Sequence, residues 1–446
     1  MSLGLHEKCQ AQLREKIAAC LPEIRAIHRM FIEPSSVSRL RKVEGSLPQG
    51  EIRRKLERYI SEAPIFDFVS GRLSRELDQG QKYDSSSADG FPLTELEGYA
   101  DPNAVAARLV EEFESLPWDY MVTLRLRNDF GELLAREVKH FDFSDSVRAA
   151  EASEGFQKEF PIYRDREKEA ALGYVASMLV DPTERVVEWD PSCAYLQTQT
   201  SGFVGHYGVT AALQQAIDGV KTFCGLGIAL GLLRRKYSHS PRTLRACFVI
   251  HRRIRGNWAI ERTYDWVREA SAVLDDLFLE DYCGRISGQQ QVLRLRDGLD
   301  RIGSVFAEKD RAERIALAGQ WLFDSHCGDN ELLSFVQTTV AMEILLGDKA
   351  TSEAIGVGKL LSNRCAYLIG KSQRDRESVL EEFNLIYDVR SQIVHRGKSR
   401  FSEKERQLFC AFRHMCHRVI QEEISLLRTD IARERTIEVM WPTEGR

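Results

Sequence analysis

The sequence predicts an α+β protein, predominantly α, in which a mixed α/β N-terminal and middle region precedes a four-helix bundle. Three observations carry this. From about residue 300 onward, apolar residues recur at helical spacing in four segments joined by short glycine-containing turns. Between about residues 91 and 300, alternating strand patterns are interleaved with helical ones. With 446 residues, 43% hydrophobic and 29% charged, the chain can bury two or three separate cores. The expected divisions are a helical segment over 1–90, a mixed region over 91–300 and a helical domain over 301–430.

Taken in order, LHEKCQAQLREKIAACLPEIRAIHRMFI has helical periodicity with Pro22 as a break, and EIRRKLERYISEA forms a second, shorter helix. The stretch from Asp78 to Pro92, rich in Gly, Ser and Asp, reads as a linker or exposed loop. Asp101 before Pro102 opens a helix as cap and first helical residue. MVTLRLR alternates Val122, Leu124 and Leu126 with polar residues, as a half-buried strand does. NDFG then predicts a turn and ELLAREVKHFDF a return strand. AYLQTQTSGFVG and TLRACFVIHRRI predict two further strands around a helix from Thr210 to Lys236, and WAIERTYDWVREASAVLDDLFLEDY predicts another helix. The last four helices end at Gly347, at Gly370, at Gly397 and in a segment opened by Ser402 and Glu405, the spacing of a capping box.

The totals exclude several classes. The ten cysteines, scattered from Cys9 to Cys416 without a C-x-x-C pair, argue against a disulfide framework or zinc ribbon and for reduced thiols. The opening residues are charged from His6 onward, with no apolar leader, and the longest apolar run, Thr222 to Leu233, falls short of the ~20 residues a membrane span requires. A cytoplasmic protein is expected, with no membrane partner. Gly225, Gly227 and Gly231 have neither the spacing nor the strand-to-helix setting of a nucleotide loop, so they predict close helix packing and no cofactor. Cys410, His414, Cys416 and His417 have helical spacings but no second ligand pair, so no metal is expected.

The segment YDVRSQIVHRG, Tyr387 to Gly397, carries the chemistry. Leu380, Phe383, Tyr387 and Val394 form an apolar stripe that Arg390 interrupts, and a guanidinium there requires an anion. Asn384, Asp388, Ser391 and His395 form a polar stripe beside it. Arg390 and His395 stand ~140° apart around the helix, so two facing copies, rather than one, converge them. His395 lies in the last helical turn, where the dipole favours its protonated form, and suits general acid–base work. Arg390 suits stabilising charge on a phosphate. Glu343, on the face of Val336 and Val340, is placed to reach Arg390 or Arg364.

The R-x4-H spacing on the third helix of the predicted bundle resembles the HEPN superfamily, and YDVRSQIVHRGK is similar to its Apea-like branch, as are LLSFVQTTVAMEILLGD and KLLSNRCAYLIG upstream. The resemblance covers roughly the last third of the chain. It implies a metal-independent endoribonuclease acting as a homodimer with a composite site, in which a ribose 2′-hydroxyl attacks the adjacent phosphate. Arg390 would hold that phosphate and His395 would act as acid or base, with Ser391, Asp388, Asn384 and Glu343 supporting them. Many family members have Asn, Asp or His where Ser391 stands, and a serine cannot serve as an acid–base group in the same way. Some HEPN domains are silent, which leaves a non-catalytic RNA- or protein-binding dimerisation module as the alternative. The family is frequent in antiviral defence and toxin systems, by analogy only.

RNA is the expected partner. The net charge of −5 does not decide this, but two basic clusters do bear on it. One runs from Arg396, Lys398 and Arg400 through Lys404, Arg406, Arg413 and Arg418; the other holds Arg234, Arg235, Lys236, Arg242, Arg245, Arg252, Arg253 and Arg255. The first 300 or so residues are expected to receive a trigger or a protein partner, or to restrain the site.

Overall fold

The computed structural model describes residues 3–81, 84–126, 128–162, 188–236, 245–280, 288–348 and 356–440. The chain is α+β and predominantly α, 61% helix against 15% strand. It divides into two compact units. One comprises 1–122, 199–217 and 250–262, and the other 123–198, 218–249 and 263–446.

In the first unit, helices α1 (Glu7–Cys20), α2 (Glu51–Tyr59), α3 (Pro64–Gly80) and α4 (Pro102–Glu114) surround a core that includes Leu13, Ile17, Leu40, Leu56, Phe68 and Leu109. Pro22 ends the first helix as expected, because proline lacks the N–H the ladder needs. From Ile24 to Ile32 the chain does not resume a helix. Strands β1 (Arg25–Ile27), β2 (Phe31–Ile32) and β3 (Phe91–Pro92) form a small antiparallel sheet in the order β2-β1-β3. The glycine- and serine-rich stretch after α3, whose residues 82 and 83 lie outside the described ones, thus leads into a strand of the same unit. The Asp101 carboxylate accepts from the backbone N–H of Asn103 at 2.9 Å and of Ala104 at 3.2 Å, the cap read from the sequence.

The main sheet takes β4 (Trp118–Arg125), β5 (His140–Ser144), β6 (Val147–Glu151), β7 (Ala194–Gly202), β9 (Cys247–Ile254) and β10 (Asn257–Asp265) in the order β10-β9-β4-β7-β6-β5. A separate pair joins β8 (Leu233–Arg235) to β11 (Leu277–Leu279), antiparallel. Two readings are corrected here. The expected turn and strand after MVTLRLR is helix α5 (Asn128–Glu137), whose Phe130, Leu133 and Leu134 are buried at helical spacing, and only then comes β5. The expected helix from Trp258 is β10 followed by α8 (Arg268–Asp276). On β10 the inward positions are Glu261 and Thr263, so the strand shows no apolar alternation. Its expected end at Tyr282 lies outside the described residues. Short α6 (Glu154–Glu159) follows β6. The expected helix from Thr210 is α7 (Ala211–Ala229), which gives way to β8.

From residue 289 to 440 the described chain is helical, as read: α9 (Gln289–Ala307), α10 (Glu313–Asp324), α11 (Glu331–Leu346), α12 (Val357–Ile369), α13 (Gln373–Arg396) and α14 (Glu403–Met440). The expected start of α12 at Ser352 lies outside the described residues. Close packing replaces a nucleotide loop at Gly225, where a Cβ would stand 1.9 Å from the Gly319 carbonyl oxygen of α10. The rings of Phe335, Phe383 and Phe412 tie α11, α13 and α14 into one core, with centroids 5.3 Å and 6.3 Å from that of Phe412. Ser402 and Glu405 close the capping box: the Ser402 N–H donates to the Glu405 carboxylate at 2.8 Å, and the Glu405 N–H donates back to the Ser402 hydroxyl at 3.4 Å.

Candidate functional site

Helix α13 buries Phe383 of the expected stripe, but at two other positions it buries the neighbours of the expected residues, Val379 beside Leu380 and Ile386 beside Tyr387. The buried positions are Val379, Phe383, Ile386 and Val389, whereas Val394 is half exposed. Arg390 follows Val389 around the helix and so sits at the margin of the core rather than on the core stripe. Its Nη2 lies 3.5 Å from Glu343 Oε1 on α11, and both side chains are 28% exposed. Of the two arginines Glu343 was placed to reach, it is Arg390 that it meets; Arg364 donates instead to the Leu346 carbonyl at 2.9 Å.

Tyr387, one turn before Arg390, completes the arrangement. Its hydroxyl donates to Glu343 Oε1 at 3.2 Å, and its ring centre is 5.8 Å from the guanidinium carbon. Burial, then the Glu343 charge, pushes the phenol up to about 12, against the opposing pull of Arg390. It therefore stays a donor at any physiological pH. Gly358 of α12 admits the ring, since a Cβ there would lie 2.9 Å from it. Arg390 Nε is buried with no hydrogen-bond partner among the described residues. One carboxylate thus anchors one edge of the guanidinium, a phenol holds that carboxylate, and one N–H is left unmade.

The polar stripe is where the sequence placed it. Asn384, Asp388 and His395 are exposed and Ser391 is half-buried. His395 is in the last turn, and Gly397 closes the helix at φ +63°, a left-handed conformation suited to glycine. A single chain does not bring Arg390 and His395 together: one is tucked against Glu343, the other faces solvent.

The two basic clusters thin out. In the first, Lys398 pairs with Glu405 at 2.8 Å, Arg406 with Glu331 at 3.1 Å and Arg418 with Asp375 at 3.8 Å. Arg413 turns to the Ser325 carbonyl at 2.9 Å. Arg396, Arg400 and Lys404 remain exposed and without an ion pair among the described residues. In the second, Arg234 pairs with Glu280 at 3.0 Å and Arg235 with Asp276 at 3.4 Å, while Lys236 is exposed. Arg252, in the other unit, pairs with Glu261 at 3.2 Å; Arg242 lies outside the described residues. Lys398 and Arg252 meet acids seven and nine residues on, but the acids that meet Arg234, Arg235, Arg406 and Arg418 lie about 40 or more residues away, beyond the reach of a sequence reading.

Cys410 and His414 are exposed while Cys416 is buried, and among the described residues no group of three His, Cys, Asp or Glu side chains can hold a metal ion. A cleft of about 660 Å³ lined by Phe141, Phe143, Asp300, Gly303, Ser304 and Arg428 contains none of the α13 residues. Among the described residues no helix is long and apolar enough to cross a membrane. Sequence reading missed Tyr387 and Gly358: the tyrosine counted as one more apolar stripe residue, and a glycine that accommodates a distant ring leaves no local signal. No family model, no curated protein and no solved structure matches the chain.

Proposed function

We propose that the chain is a metal-independent endoribonuclease whose active site forms between two copies, with α11–α14 as a HEPN-like four-helix bundle. The observation that carries the reading is the split on α13: Arg390 is held at the core margin with an unmade N–H, while His395 stands exposed on another face. A cation that keeps a donor in reserve suits a phosphate, and an exposed imidazole suits proton transfer. Two antiparallel copies supply two arginines and two histidines to one phosphodiester. One His395 takes the proton of the ribose 2′-hydroxyl as its oxygen attacks phosphorus. The P–O5′ bond breaks, the second His395 protonates the departing 5′-oxygen, and a 2′,3′-cyclic phosphate remains. Arg390 bears the charge that grows on the non-bridging oxygens. Arg396, Arg400 and Lys404, exposed and within nine residues of His395 in sequence, would follow the RNA backbone. A setting in antiviral defence or a toxin system, in the cytoplasm, with control through residues 1–300, belongs to the same proposal.

The Arg390–Glu343 ion pair also favours a second reading, a non-catalytic module that binds RNA or a protein and dimerises, because a neutralised arginine is a poor phosphate ligand. Incubating the full chain with mixed tRNA and mRNA in EDTA separates the two. Products ending in 2′,3′-cyclic phosphate support the nuclease. Salt-dependent binding without any cleavage supports the module.

A further inference from the structure

The second unit carries a cluster of buried, unpartnered nitrogens that the nuclease reading does not use. His326 lies in the turn that follows α10. Two guanidinium groups clamp this turn at successive carbonyls: Arg413 of α14 donates to the Ser325 oxygen at 2.9 Å, and Arg235 of β8 donates to the His326 oxygen. His326 is 9% exposed, and neither ring nitrogen has a hydrogen-bond partner among the described residues. His417 Nε2 and Arg413 Nε are buried and unpartnered as well. Buried groups of this kind rarely stay unpaired, and Arg413, which holds this turn, and His417 lie one helical turn apart on one face of α14, so a shared partner is called for.

The charges identify that partner. Arg413 is cationic and each imidazole carries at least one N–H, so a partner shared by the three side chains must be an acceptor. Neighbouring carboxylates are already engaged, Asp276 with Arg235 at 3.4 Å and Asp324 with Lys221 at 2.9 Å. Glu269 and Asp324 bear instead on Cys327, the next residue. Arg413 has no carboxylate among the described residues and lies 4.3 Å over the Phe409 ring. His326 is held well below its ordinary range by burial and then by Arg413, His417 and Arg235, while His417 is lowered by burial, His414 and Arg413. The groups therefore feel one another as like charges. Arg413 and His417 are only partly buried as residues, although the nitrogens named are not exposed.

We infer that His326, His417 and Arg413 form a binding centre for a small tetrahedral oxyanion of the sulfate or phosphate class. Bound there, it would accept from all three side chains and fasten the turn after α10 to α14.

Sulfate is the probe, because its charge does not change between pH 6 and pH 8. Thermal unfolding of the full chain is followed while sulfate replaces chloride at constant ionic strength. A saturable rise in Tm is expected, with at least threefold tighter binding at pH 6, since the anion favours protonated imidazoles. Binding should weaken at least tenfold in His326→Leu and in Arg413→Met, and stay unchanged in Lys309→Ala, at an exposed position. His326→Leu removes unmade groups rather than a bond, so its Tm without sulfate should equal or exceed that of the wild type. Should either variant fail to fold, histidine ring resonances of the wild type decide: two must shift with sulfate and saturate. A non-saturable rise shared by all variants, or imidazole resonances that do not move, would overturn the inference and leave buried water as the partner of these nitrogens.

Discussion

Tyr387 shows how one side chain sets another. It donates to Glu343, Glu343 meets Arg390, and Gly358 leaves room for the ring. Tyr387→Phe should therefore cost about 1 kcal/mol in urea denaturation, the worth of one hydrogen bond to a charged acceptor at a half-buried site. Gly358→Ala should cost ~1–3 kcal/mol by driving a methyl against that ring, and a fall of less than 0.5 kcal/mol would show that the ring moves aside freely. The buried histidines make a pH prediction. His417 is lowered to about 4, so the unfolded chain binds a proton between the ordinary histidine range and that value while the folded chain does not. Stability is then fully present above the unfolded value and is lost as pH falls toward 4, by on the order of 1–2 kcal/mol at pH 5 from this group. His417→Leu should flatten the difference between pH 7 and pH 5; an unchanged difference would place the titration elsewhere.

At the scale of elements, helix ends were legible and buried polarity was not. Asp101, Ser402 with Glu405, and Gly397 fixed three helix ends from local sequence alone, because capping needs specific side chains at specific offsets. Gly397→Ala puts a Cβ into the left-handed region at φ +63° and should destabilise α13 by about 1 kcal/mol, with Gly397→Asn milder; equal stability of all three proteins would show that the end refolds around the change. Strand β10 was read as a helix because Glu261 and Thr263 face inward, and Glu261 is tolerated there by Arg75 and Arg252, whose sequence positions give no hint of it. On α13 the expected stripe and the buried one share Phe383 and differ by one residue elsewhere. Val389 and Arg390 are adjacent, and periodicity alone does not say which of two neighbours faces the core.

For the whole molecule, the sequence conveyed class more readily than division. The predominance of helix followed from periodicity and length. The two units interleave along the chain, 1–122 grouping with 199–217 and 250–262, which no linear reading of linkers can reveal. The basic clusters illustrate the same limit in part, since Arg406, Arg418, Arg234 and Arg235 pair with acids distant along the chain, while among the described residues Arg396, Arg400 and Lys404 form no ion pair. Replacing Arg396, Arg400 and Lys404 together by alanine should reduce the slope of log binding constant against log salt for single-stranded RNA by about 2. An unchanged slope would locate the RNA elsewhere. The most direct measurement compares the wild type with Arg390→Ala and His395→Ala on one RNA pool in EDTA, with folding of all three checked by circular dichroism. The account predicts cleavage by the wild type and a loss of 10²-fold or more in each variant. Cleavage that survives in either folded variant would contradict it.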